Sequence, residues 1–188
     1  QEQVQSFDCN SVEDVSVLEC EGLVALYAST NGAGWTNNTH WLQTTTVGDW
    51  YGVLAIYGSL RTLSLKSNNL VGNLPPEIRN FTDLTRLSLS GNFLSGSIPK
   101  EIFQMENLLW LYLDDNQLSG SIPSDISFSP IISEINLENN LLTGEIPSTL
   151  SQVDSLRELN LSNNQLSGPI PGSLGALYEL TRLKLSSN

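Results

Sequence analysis

The chain has 188 residues, with 20 acidic and 8 basic side chains, one His, two Cys and a formal net charge of −12 at neutral pH. That length suits one continuous core, and the acidic balance excludes nucleic acid and anionic membrane as partners, since phosphate contacts need clustered Lys and Arg. No apolar run approaches the ~20 residues that cross a bilayer, so no membrane insertion is expected of this segment.

Residues 1–59 carry seven acids and no Lys or Arg. Ser16-Val17-Leu18-Glu19 has the spacing of a capping box, which predicts a helix starting near Val17. Leu23, Val24, Leu26 and Tyr27 give that helix an apolar face, and Asn31-Gly32 ends it. The start places Cys20 in the first turn, and the chain from Cys9 can fold back toward it. A helix begun at Asn10 would instead hold the two Cys roughly 16 Å apart, too far to bridge. A Cys9–Cys20 disulfide is therefore expected, contributing about 3 kcal/mol by closing a short loop. Trp35, Trp41, Trp50 and Tyr51 follow, and they are expected to pack over the next part of the chain.

From Leu60 onward the sequence repeats every 24 residues. The unit LTRLSLSGNFLSGSIPKEIFQMEN, residues 84–107, shows the template. Its Leu87 and Leu89 alternate with polar neighbours, so each LxL is a short strand with one buried face. A unit can bury that face only against the next unit, which makes a parallel stack. Asn68, Asn92, Asn116, Asn140, Asn164 and Asn188 recur at the turn after each strand, where their amides can satisfy backbone groups of their own and neighbouring turns. Gly72, Gly96, Gly120, Gly144 and Gly168 supply backbone freedom at a bend. Pro75, Pro99, Pro123, Pro147 and Pro171 then fix φ before a short helical segment.

This template resembles the plant-type leucine-rich repeat, LxxLxLxxNxLxGxIPxxLxxLxx, over residues 60–188. The resemblance implies an α/β solenoid, a right-handed superhelix with a parallel sheet on its concave face. It also implies a second short strand at the Ile-Pro segment. Residues 60–188 then form five complete repeats and a truncated sixth, and residues 1–59 form a helical, disulfide-bonded N-terminal cap. The stretch NGAGWTNNTHW…GDWYGV resembles the cap of secreted members from algae, other protists, bacteria and plants. Many relatives carry a further Cys pair near this Trp-Tyr-Gly-Val stretch; with none here, aromatic packing is expected to hold the cap.

Three sequons, at Asn37, Asn80 and Asn160, are candidates for N-glycosylation. Together with the Cys pair and a first residue that is not Met, they point to an extracellular protein, secreted or at the cell surface. Nothing supports catalysis. His40 lies between Thr39 and Trp41 without the partners of a triad or a metal site. Asp114-Asp115 reads as a solvated pair rather than half of a calcium site. No cofactor and no metal is expected, and the chain is read as a non-enzyme.

Binding is expected on the concave face, where non-Leu positions recur at a spacing of 24. One row is Thr62, Arg86, Trp110, Glu134, Glu158 and Arg182. The next is Ser64, Ser88, Tyr112, Asn136, Asn160 and Lys184, and a third runs Lys66, Ser90, Asp114, Glu138, Ser162 and Ser186. Aromatic side chains beside acids suit recognition, because Trp and Tyr give large contact area at low entropy cost. The candidate ligand-binding set is Arg86, Trp110, Tyr112, Asp114, Asp115, Glu134, Asn136, Glu138 and Glu158. Its acidic centre would steer a basic protein or peptide. The function expected is that of a receptor-like or secreted recognition module. The rivals are an inhibitor of a secreted hydrolase and a structural or adhesive matrix protein. The sixth repeat stops at Asn188 without a cap; a longer native chain, cleavage or end-to-end homodimerisation would each cover Leu183 and Leu185.

Overall fold

The computed structural model describes residues 7–188; Glu2, one of the N-terminal acids, lies outside them. Helix α1 runs Val17–Ser29. Its capping box is formed as the spacing predicts: the Glu19 N–H donates to Ser16 Oγ at 3.2 Å, and the Ser16 N–H donates to Glu19 Oε2 at 2.9 Å. Asp8 caps a short 3-10 turn, Cys9–Ser11, which carries Cys9 back to the first turn of α1. Cys9 and Cys20 are bonded, with Cα atoms 5.6 Å apart.

Behind α1 stands a chain of rings. Phe7 meets Trp50 edge-on at 5.2 Å, Trp50 meets Trp41 at 5.0 Å, Trp41 meets Trp35 at 4.8 Å, and Trp41 stacks on Tyr27 at 5.8 Å. Trp35, Trp41 and Trp50 are buried, and each indole N–H reaches a backbone carbonyl, of Thr30, Tyr51 and Thr44 respectively. This satisfies the polar handle that burial of a Trp otherwise strands. Tyr51 departs from the expectation: it is exposed. The Asp14 carboxylate adds a tether, accepting from the Val47 and Gly48 N–H groups at 2.9 and 2.6 Å.

The repeats build two sheets. The long one takes β2 (Ser59–Ser64), β4 (Arg86–Ser88), β6 (Trp110–Tyr112), β8 (Glu134–Asn136), β10 (Glu158–Asn160) and β12 (Arg182–Lys184), all parallel and in sequence order. Strand β1 (Val53–Ile56) pairs antiparallel with β2 and forms the N-terminal edge. The second sheet holds β3 (Val71–Asn73), β5 (Phe93–Ser97), β7 (Gln117–Gly120), β9 (Leu141–Gly144) and β11 (Gln165–Leu166). These strands end before Ile-Pro rather than on it, because Pro has no N–H to give a ladder. After each Pro follows a 3-10 segment such as Lys100–Gln104.

Between the layers lies one core. Leu63, Leu65, Leu87, Leu89, Leu111 and Leu113 are fully buried, each stabilising by roughly 1.5–3 kcal/mol. The Asn ladder works as expected. Asn92 Oδ1 accepts from the Asn68 and Leu70 N–H groups, while its Nδ2 donates to the carbonyls of Leu65 and Leu89. Asn116, Asn140 and Asn164 repeat these bonds except the first, the rung N–H donating instead to a backbone carbonyl of the next repeat. Gly72 marks where the helix meets the first repeat: φ is +130°, and a Cβ there would sit 2.2 Å from the Ser29 carbonyl oxygen.

Candidate functional site

Strand register aligns the concave rows as the spacing implies. Arg86 pairs with Trp110, Trp110 with Glu134, Glu134 with Glu158, and Glu158 with Arg182. Side chains two residues apart on a strand share a face, so Ser88, Tyr112, Asn136, Asn160 and Lys184 form the parallel row. The third row is less open than expected. Ser90 and Ser162 are buried, and Ser90 Oγ donates to Asp114 at 2.7 Å.

Two arrangements stand out on this face. On its N-terminal half, the Arg86 guanidinium lies over the rings of Trp110 and Tyr112, 4.9 and 5.3 Å from their centroids. That stack holds both aromatic rings in place by cation–π attraction. Toward the C-terminal half is a cavity of about 200 Å³ lined by Tyr112, Glu134, Asn136, Glu138, Glu158 and, beyond them, Asn160, Arg182 and Lys184. The sequence rows place Asn160, Arg182 and Lys184 beside the acids, and the cavity adds these three to the candidate set.

Inside the cavity most charges are oriented. The Tyr112 hydroxyl donates to Glu134. Burial first, then that bond and the Glu134 charge, push the Tyr112 phenol up to about 12. Glu158 pairs with Arg182 at 2.7 Å. Glu138 accepts from Asn160 Nδ2 at 2.7 Å. Lys184 makes no ion pair among the described residues, leaving a cation beside three carboxylates. The result is a fixed acidic wall with an aromatic shoulder and cationic ends, able to receive a basic group and its flanking polar atoms. Asp115 lies apart, at a turn with φ +54°, where it accepts from Asn139 Nδ2 at 2.6 Å.

The three sequons sit in different surroundings. Asn37 Oδ1 accepts from both the N–H and the hydroxyl of Thr39. Asn80 Nδ2 donates to the Leu18 carbonyl, and Asn160 lines the cavity. His40 is exposed, its Nδ1 3.1 Å from the Asp49 carbonyl oxygen. Among the described residues, no group of three or more His, Cys, Asp or Glu is placed to hold a metal ion, and no helix is long and apolar enough to cross a membrane.

A family model described as leucine rich repeat matches residues 58–118 and 124–188. A comparison with curated protein sequences finds no match. Solved structures of Arabidopsis proteins are similar. The ectodomain of the membrane receptor kinase GASSHO1/SCHENGEN3, in complex with Casparian strip integrity factor 2, is 46% identical with a TM-score of 0.66, covering 67% of this chain and 15% of that one. A chain of the BIR3–SERK2 complex is 33% identical with a TM-score of 0.72, covering 91% and 97%. The ectodomain of the receptor kinase HAESA, with a peptide hormone ligand, is 29% identical with a TM-score of 0.69, covering 89% and 34%. The chain thus spans about a seventh of the first and a third of the last.

Proposed function

The chain belongs to the leucine-rich repeat family, as an extracellular member of the plant type, and from that we propose that it is a non-catalytic recognition module binding a protein or peptide across its concave face. Solved relatives hold a peptide hormone in one case and a second protein in another. The observation that carries the reading is the placement of Trp110 and Tyr112 beside Glu134, Glu138 and Glu158 on adjacent strands. Large aromatic surface next to oriented carboxylates fits a basic segment, with steering from the acidic centre and anchoring from the rings. A glycan on Asn160 would cover one side of this cavity and narrow what enters.

The test is a pull-down from the native extracellular medium, with and without salt, followed by affinity measurement of the recovered partner. A Trp110→Ala/Tyr112→Ala double variant is expected to lose roughly a hundredfold in affinity. Unchanged affinity would sink the concave-face reading. Charge reversal at Glu134 and Glu158 is expected to slow association and flatten its salt dependence.

A further inference from the structure

The β1–β2 hairpin carries an unusual turn. Its connection is Tyr57-Gly58, with φ of +54° and +79°. Two-residue turns of this hand normally take Asn-Gly or Asp-Gly, and a bulky aromatic at positive φ is an outlier. Tyr57 is 97% exposed, and among the described residues no hydrogen bond or ring contact holds it. The fold therefore presents this ring at a cost in backbone energy with no internal return, and such strain concentrates at functional sites.

The strand beside the turn is equally open. Leu54 and Ile56 are 48% and 40% exposed and point the same way. Residues 50–60 contain no charge and no Pro. Its protections, of the kinds that blunt sheet edges, are its length of four residues and a register shift between Leu54 and Ala55. Among the described residues, no backbone hydrogen bond outside the β1–β2 ladder engages Leu54, Ala55 or Ile56. The outer edge of β1 is an unused template.

Charge decides the occupant. Residues 1–59 hold seven acids and no Lys or Arg. Asp49 is exposed just before β1, and Asp14 binds the Val47–Gly48 backbone that packs against Ala55. Arg61, the one base of the hairpin, is paired with Asp83 at 3.4 Å; a second copy would bring two net-acidic regions together and be repelled, and a basic partner is attracted. We propose that β1 and the Tyr57 turn are a docking site for a strand of a partner protein. That strand is an extended segment with alternating apolar side chains and flanking Lys or Arg. It adds main chain to main chain on the β1 edge and packs its apolar side on Leu54, Ile56 and Tyr57. Leu54 continues the row Thr62, Arg86, Trp110, and β1 lies about 19 Å, four strand spacings, from β8. A partner crossing the concave sheet would reach it, but the site stands without that crossing.

The probe is a synthetic peptide of alternating Val and Thr with Lys at both ends, titrated against the full chain. It is expected to bind and to slow amide exchange at Ala55. A copy N-methylated along one edge, and a copy with Glu in place of Lys, are each expected to bind at least roughly tenfold more weakly. Leu54→Asp should abolish binding. Tyr57→Asn should weaken binding while raising Tm by about 2 °C, because Asn takes positive φ more readily; that rise shows the variant folds. Trp110→Ala/Tyr112→Ala should leave peptide affinity unchanged, which separates this site from the concave-face reading. Equal binding of the methylated or Glu-flanked peptide, no binding by any peptide, or a dimer in sedimentation that Leu54→Asp dissolves would each overturn the proposal.

Discussion

In four of the repeats, the N–H that opens the unit is satisfied locally. Leu84, Leu108, Leu156 and Leu180 donate to Phe81, Met105, Val153 and Leu177, three residues back, at 3.0–3.2 Å. Leu60 holds the same position in the first repeat, but a hairpin precedes it instead of a 3-10 turn. Its N–H donates at 2.9 Å to Glu19 Oε1, a buried carboxylate 41 residues away. The contrast recurs at the ladder. Asn92 reads carbonyls of its own and the preceding repeat, whereas Asn68 exchanges hydrogen bonds with the backbone of Asn37 in the N-terminal segment. A repeat can reuse its neighbour's carbonyl because the neighbour is a copy. The first repeat has no copy before it, so the segment that closes the stack imports polar groups over long range, one of them charged.

Removal of Trp41 tests the N-terminal side most severely. It is buried, contacts Tyr27, Trp35 and Trp50, and anchors the Tyr51 carbonyl. Trp41→Ala is expected to cost about 4 kcal/mol, read as a fall in the denaturant midpoint. The matching change in the stack is Asn116→Ala, which strips the buried Leu94 N–H of its acceptor and takes one of two donors from each of three carbonyls, those of Leu89, Leu113 and Asp114. That costs about 3 kcal/mol. Amide exchange should place its effect mainly in the flanking repeats, since each repeat contacts only its neighbours. Equal spreading of both effects along the chain would break the distinction between a specific end and a modular middle.

Glu19→Gln probes the imported charge with little change of volume. The carboxylate accepts from Leu60 N–H, Ser16 N–H and Ser16 Oγ. An amide has only one acceptor oxygen, so its NH2 must face one of these donors. A loss of about 2 kcal/mol is expected in thermal or denaturant unfolding. A loss no larger than that of a surface Glu→Gln change would show that the carboxylate is replaceable.

Local and periodic features could be read from residue order, and long-range or strained ones could not. The strand spacing, the Asn rungs, the capping box and the Cys9–Cys20 bridge all depend on residues close in sequence or on exact repetition. The Asp14 tether spans 33 residues to Val47, and no pattern announces it. The hairpin turn was hidden because Tyr57 stands where Asn or Asp would signal one. Burial of Ser90 and Ser162 escaped a reading that assigned every non-Leu position to solvent, though short side chains beside the Asn rungs lie close to the backbone. On the concave face, register and rows were predictable from the period, but the Arg86 stack and the grip of Tyr112 on Glu134 depend on rotamers that spacing does not encode.

The smallest effect belongs to that grip, and it separates the concave face from the N-terminal side by pH. Tyr112 has its phenol raised from 10.0 to about 12, through burial first and then through the bond to and charge of Glu134. Below pH 10 folded and unfolded chains both keep the proton, so the contribution is whole. Between 10 and about 12 the unfolded chain releases it while the folded chain holds it, and stability falls over that window. Near-ultraviolet absorbance titration of the folded protein should therefore show a late phenolate phase near 12 that Tyr112→Phe removes. Glu134→Gln should draw the same phase down toward 10, because it deletes the charge and weakens the bond. Glu19→Gln, on the other side of the comparison, should leave that phase in place while lowering stability at neutral pH. If Tyr112→Phe left the late phase unchanged, the phenol would not be seated on Glu134, and the oriented acidic wall of the cavity would lose its aromatic shoulder.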